Sequence, residues 1–216
     1  MISVVIPTHN SQVSLTHCFD GLIGATVRGV VKEVIVADGG SSDDTLALAD
    51  AAGCHVVRGG KTRASRLAAG AKAARSDWIL FLHPETALAQ GWEVEAENFI
   101  ARVTIEHQRA AAFRFGLDGF DAHSRRSEAL AALRCWLFRL PTGDQGLLIP
   151  KRLYNKLGGY RDVPMEDLDL VRRIGARRLT MLRTRAVNKA CNPPRSFALT
   201  AFHALRFPAR LLPRRG

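Results

Sequence analysis

Short runs of β-branched residues alternate along this chain with stretches whose apolar positions recur every three or four residues. Val4, Val5 and Ile6 form the first run, which stops at Pro7-Thr8-His9-Asn10. Pro7 has no backbone N–H and a fixed φ, so it suits a strand end rather than a central pairing position. Leu15, Phe19, Leu22 and Ile23 then recur at helical spacing. Val30 to Asp38 is the second expected strand, and its Val34-Ile35-Val36 reads as buried on both faces. Gly39-Gly40 lets the chain turn, and Ser41 to Asp44 offer N-cap side chains. They precede an expected helix over Asp43 to Ala52 with a Leu46, Leu48, Ala49, Ala52 stripe. Gly53 ends that helix, and His55 to Val57 is a third short strand. Strand–helix pairs of this length assemble as right-handed βαβ units on a parallel sheet.

The pattern continues through a glycine-rich, basic loop from Gly59 to Arg66 into an alanine-rich helix ending near Ala74. A strand over Asp77 to Leu82 runs into His83-Pro84-Glu85. Gly91 to Glu106 reads as a helix with an acidic outer face, and Ala110 to Phe115 as a strand. Ser127 to Arg139 reads as a helix with a wide apolar face, and Leu147 to Ile149 as a strand. A helix opens at Glu166-Asp167, and a last strand runs from Arg177 through Val187. Asn192-Pro193-Pro194 then breaks the pattern ahead of an aromatic and basic tail. The expected fold is α/β: a Rossmann-like three-layer α/β/α sandwich with a mostly parallel central sheet. A domain over residues 1–190 is expected, its nucleotide-binding half about 1–90 and its second half about 91–190, with 191–216 as a basic amphipathic tail.

Composition narrows this picture in three ways. The 216 residues are 47% hydrophobic and 24% charged, ordinary for a folded soluble chain of one domain. No apolar run approaches the roughly 20 residues that span a bilayer. Neither a basic flank nor a cleavage pattern opens the sequence, so a cytoplasmic protein is expected. Cys18, Cys54, Cys135 and Cys191 are scattered, without metal-ligand spacing. Charge is lopsided. The first 150 residues hold 15 Lys and Arg against 16 Asp and Glu, the last 66 hold 16 against 4, and the whole carries +11. Such asymmetry suits an anionic partner on the C-terminal part, and a solvated arginine-rich surface would produce it equally well. The tail's Phe197, Phe202, Phe207, Arg206 and Arg210 would suit contact with the inner face of a membrane, or packing on the domain itself.

Two strand ends about thirty residues apart carry the chemistry: Ser-Val-Val-Ile-Pro-Thr-His-Asn and Val-Ile-Val-Ala-Asp-Gly-Gly-Ser-Ser-Asp. A carboxylate at a parallel strand's C-terminal end, beside a glycine turn and a helix start, is where open α/β sheets bind nucleotides. This pair of motifs resembles the start of family-2 glycosyltransferases, which have the A-type glycosyltransferase fold and transfer a sugar from a nucleotide diphosphate sugar with inversion. The resemblance implies that Pro7, Thr8, Asn10, Asp38 and Gly39 lie at the nucleoside of a UDP- or GDP-linked donor. Gly39 stands where many members have a second Asp, and Ser11 where they often have Glu. Arg63, with Arg66 second, is implied near the donor diphosphate. Members also place an Asp-x-Asp-like motif at the fourth strand's end, binding Mg²⁺ or Mn²⁺. Here that position reads His83-Pro84-Glu85, so Glu85 is the implied metal contact and His83 a possible Mn²⁺ ligand but a poor Mg²⁺ ligand.

Downstream, Gly143-Asp144-Gln145-Gly146, Gly158-Gly159-Tyr160 and Met165-Glu166-Asp167 follow in the order of a small single-domain subgroup of that family. The resemblance implies that Asp167 is the general base for the acceptor hydroxyl, with Glu166 beside it to orient it. Seen alone, the pair would read as acids stabilised by a helix dipole. Asp144 and Gln145 are implied on the acceptor side. Three other readings stay open on residues alone: a nucleotide-sugar-binding relative with weakened catalysis, a nucleotidyltransferase on a related sheet, and a basic nucleic-acid-binding protein. The last lacks a recognition motif, and nucleic acid is not an expected partner.

Overall fold

A computed structural model describes residues 1–104, 108–117 and 141–188. The helix expected over Ser127 to Arg139, the end of the one expected through Glu106, and the tail fall outside the described residues. Within them an eight-stranded sheet has the order β3-β2-β1-β4-β7-β6-β8-β5. Its strands are β1 (Ile2–Thr8), β2 (Val31–Asp38), β3 (His55–Arg58), β4 (Trp78–Phe81), β5 (Thr86–Leu88), β6 (Ala110–Leu117), β7 (Leu147–Pro150) and β8 (Leu179–Asn188). The first four pair in parallel. The second half is mixed: β7 runs antiparallel to β4 and β6, β8 parallel to β6, and β5 antiparallel to β8.

Alternation along the strands splits the core into two layers, as a period of two requires. Val4 and Ile6 of β1 and Leu80 of β4 face one side. There α1 (Gln12–Asp20), α2 (Ile23–Val27), α3 (Thr45–Ala51) and α5 (Trp92–Arg102) lay down Leu15, Cys18, Ala25, Ala49, Trp92 and Ala96. Val5, Ile35, Ile79 and Phe81 face the other side. That face is covered by α4 (Arg63–Ala73), α6 (Lys151–Lys156) and α7 (Glu166–Ile174) through Leu67, Leu153, Leu170, Val171 and Ile174. The three-layer α/β/α arrangement is the expected one.

Local details differ from the sequence reading for identifiable reasons. Pro7 lies inside β1 and is in register with Ala37. It is tolerated because β4 pairs with β1 only as far as Val5–Phe81, so no partner needs the missing N–H. Leu46 is exposed and α3 buries Thr45 and Ala49 instead. The helix after β1 stops at Asp20, a second turn begins at Ile23, and Ile23 is 60% exposed, so Cys18, Leu22 and Ala25 complete the inward stripe. α2, β5 and α6 were not expected from the pattern. Each has seven residues or fewer, too short to display a period.

Candidate active site

The C-terminal ends of β1, β2 and β4 and the first turns of α4 and α7 meet at one edge of the parallel half-sheet. At the β1–β2 end the two strand-end motifs close on each other. Asp38 Oδ1 accepts from Thr8 Oγ1 at 2.9 Å and from Ser41 Oγ at 2.5 Å. Its Oδ2 accepts from the Gly40 and Ser41 backbone N–H groups, both at 2.8 Å. Asn10, at φ 52°, donates its backbone N–H to Ser41 Oγ and accepts the Ser42 N–H on its side-chain oxygen, both at 2.8 Å. Burial works against the Asp38 charge, but the Ser41 and Gly40 donors outweigh it and hold the carboxyl below its ordinary range. Thr8, Asn10 and Asp38 are thus brought together, each bound to the 38–45 turn. Ser41 and Ser42, expected only as helix-capping candidates, are the organising partners. α3 itself starts after Asp44 with no side-chain cap on its end.

The second cluster lies a helix turn away and is built from charges. Thr62 caps α4, accepting the Ser65 N–H on its hydroxyl, and this directs Arg63 from the first turn toward α7. Arg63 Nε donates to Glu166 Oε1 at 2.5 Å, one terminal nitrogen donates to Asp167 Oδ2, and the other lies 2.7 Å from His83 Nε2. His83 Nδ1 is 3.0 Å from Asp144 Oδ1. Tyr160 donates its hydroxyl to Asp167 Oδ1 at 3.2 Å. Tyr160 is placed by its own glycine turn: its N–H donates to Tyr154 Oη, and Arg173 of α7 donates to the Leu157 and Gly159 carbonyls. Met165 sits at φ 59°, a left-handed conformation uncommon for such a residue, directly ahead of Glu166. Gly143 passes so close above the cluster that an added Cβ would overlap His83 Nε2 and stand 2.8 Å from Asp167 Cγ. The site therefore requires glycine there.

Burial and the Arg63 charge both oppose a protonated His83, yet the Asp144 carboxylate at Nδ1 and that of Asp167, 3.8 Å from Nε2, prevail and push it up to about 9. Burial likewise opposes ionised Asp167 and Asp144. The neighbouring His83 ring, 3.8 Å away, and the charge of Arg63 keep Asp167 below the usual carboxylate range, and the His83 bond does the same for Asp144. The cluster sets the Arg63 guanidinium and the His83 ring among the Asp144, Glu166 and Asp167 side chains. Gln145, expected on the acceptor side, is buried and holds the loop instead. It donates to the Phe113 carbonyl and accepts the Thr142 N–H.

Arg66 lies between the two clusters. An added Cβ would stand 2.7 Å from its NH1 at Gly39 and 2.9 Å from its Cα at Gly59, so both glycines make room for it. Arg66 donates to the Lys61 carbonyl at 2.9 Å, and its Nε is buried without a partner. Gly39 thus underlies an arginine.

The divalent-cation site implied by the resemblance does not fit this donor set. Among the described residues no three His, Cys, Asp or Glu side chains converge on a common ion position. His83 already pairs with Asp144 and Arg63 through both ring nitrogens. Glu85 makes none of the cluster's contacts, and its charge is felt instead by Cys18 of α1, across the sheet. His83 and Glu85, the expected metal contacts, belong to no group of three such ligands among the described residues. Tyr160 and the Arg63 bridge were not foreseen, and the Gly-Gly-Tyr signal was the available hint for the former.

The profile described as Glycosyl transferase family 2 matches residues 3–93 of this chain. No curated protein matches significantly. Among solved structures, glucosyl-3-phosphoglycerate synthase from Mycobacterium tuberculosis, in complex with Mn²⁺, UDP and glucosyl-3-phosphoglycerate, superposes with a TM-score of 0.60 at 23% identity, covering 95% of this chain and 75% of that one. A mycobacterial protein gives 0.61 at 23% identity, covering 91% and 69%. Staphylococcus aureus TarS 1-349 gives 0.63 at 17%, and this chain spans 60% of its length. The shared feature is the A-type glycosyltransferase fold. No described helix is long and apolar enough to cross a membrane.

Proposed function

We propose that this chain is an inverting glycosyltransferase that moves a sugar from a nucleotide diphosphate sugar to an acceptor hydroxyl or phosphate. One observation carries the proposal. Arg63, on the helix that follows the nucleotide-side strands, is bonded directly to Glu166 and Asp167, more than a hundred residues away. The implied diphosphate contact and the implied base thus belong to one site, which supports donor and acceptor meeting there for a single displacement at the anomeric carbon.

In this reading the Asp38 turn receives the nucleoside and Arg63 and Arg66 the diphosphate. Asp167 takes the acceptor proton as the acceptor oxygen forms its bond to the anomeric carbon and the nucleotide diphosphate departs. Glu166 and Tyr160 orient Asp167. The relative solved with UDP-glucose and Mn²⁺ supports a uridine donor. The basic excess of the last 66 residues supports an anionic acceptor, a lipid-linked phosphate among them. No step is routed through a metal ion.

Calorimetric titration with UDP and GDP tests the donor site. The reading expects saturable binding of one of them, weakened by Asp38→Ala. An absence of binding to both would overturn it.

A further inference from the structure

The donor set around His83 disagrees with a divalent cation, and what stands there instead is a guanidinium. Arg63 donates to Glu166 and Asp167 through Nε and one terminal nitrogen, and its other terminal nitrogen lies 2.7 Å from His83 Nε2. A guanidinium has five N–H donors, so at least two remain beyond these contacts. The Arg63 side chain is also 36% exposed, against 12% for each of the two acids that hold it. This is the arrangement a bound metal would have: protein carboxylates fix the cation on one side, and open positions face a further ligand on the other. Arg66, one turn along the same helix, adds a second guanidinium with a buried, unpartnered Nε. A planar guanidinium matches phosphate oxygens through paired N–H groups, which gives direction as well as charge.

Resting on the donor-site reading above, we infer that Arg63, seconded by Arg66, takes the place of the divalent cation, so that this chain binds its nucleoside diphosphate without metal. A divalent ion seated among Glu166, Asp167 and His83 would have to displace Arg63 and leave its charge without partners. The guanidinium stays charged at every relevant pH and needs no deprotonated ligand set.

The test is calorimetric titration of the full chain with UDP and with GDP, each once in excess EDTA and once in millimolar Mn²⁺. Electron paramagnetic resonance of Mn²⁺ added alone measures uptake directly. The inference expects dissociation constants equal within twofold in the two conditions, and a free-Mn²⁺ signal undiminished by the protein. Arg63→Met should weaken nucleotide binding tenfold or more in EDTA, with no recovery in Mn²⁺. Arg63→Lys, which keeps the charge without the fork, should fall between. Arg66→Met, whose side chain makes a single backbone bond, gives a second reading if Arg63→Met does not fold, and should weaken binding threefold or more. A tenfold strengthening of wild-type binding by Mn²⁺, or recovery of Arg63→Met by the ion, would overturn the inference while leaving the donor site intact. No binding of either nucleotide in both conditions would overturn the donor-site reading, and this inference with it.

Discussion

Asp38 and Asp167 are both well-buried carboxylates held in the ionised form, but by opposite means. Asp38 takes four hydrogen bonds, three of them from residues two or three positions away and one from Thr8. All four donors are neutral. Asp167 takes its bonds from Arg63 and Tyr160 and lies 3.8 Å from His83 Nε2, so its charge is met mainly by other charges far away in sequence. The first arrangement shapes a turn through neutral donors, whose hold on the charge salt does not screen. The second sets a carboxylate against a counter-charge that a phosphate can compete for. A neutral-donor cage suits recognition, and an ion-pair cage suits chemistry.

Four substitutions and conditions separate the two. Asp167→Asn should lower sugar transfer by about 10²–10⁴-fold, the usual contribution of a general base, while nucleotide affinity changes only a few-fold. UDP release from UDP-glucose with the acceptor present measures this, and retained turnover would reduce Asp167 to a structural acid. Arg63→Met should cost on the order of 2–3 kcal/mol in urea unfolding, because it leaves Glu166 and Asp167 buried without their cation. The figure sits below that for a fully buried pair because a third of Arg63 is exposed. Asp38→Ala should cost about 1–2 kcal/mol, the penalty of buried donors left without an acceptor. Its cost should be the same at ~0.1 M and ~1 M salt, whereas that of Arg63→Met should shrink as ions screen the cluster.

The smallest difference is in pH. Both aspartates have lowered pKa values when folded, so each stabilises above the ordinary carboxylate range, and this is lost as pH falls through the folded value. His83 adds a limb that Asp38 lacks. Its folded pKa is raised from 6.5 to about 9, so its contribution is complete below 6.5 and disappears as pH rises through about 9. Wild-type stability should decline over that window in equilibrium unfolding, and His83→Gln should abolish the decline. A decline unchanged in the variant would place the titrating group elsewhere.

What could be read ahead of the structure follows from how local each interaction is. The strand run Val34-Ile35-Val36, the stop at Asp38 and the Gly39-Gly40 turn are near neighbours, and the β-branched run fits the pleated, doubly buried strand it forms. The parallel half-sheet and the glycosyltransferase pattern of residues 3–93 were legible for that reason. So was Glu166-Asp167 as the opening of a helix. The structure alone decided what those side chains meet. Whether Asp38 stands open or caged depends on Ser41 and Ser42 turning back on it. Whether His83 faces a metal or an arginine depends on α4 and α7 crossing the ends of β4 and β7, elements between 63 and 174 in sequence. Periodicity and turn chemistry act over a few residues, so the sequence by itself determined the strands, the turns and the family pattern. Which charges neutralise one another is set by packing two helices on one face of a sheet, so only the tertiary structure could join Arg63 to Asp167.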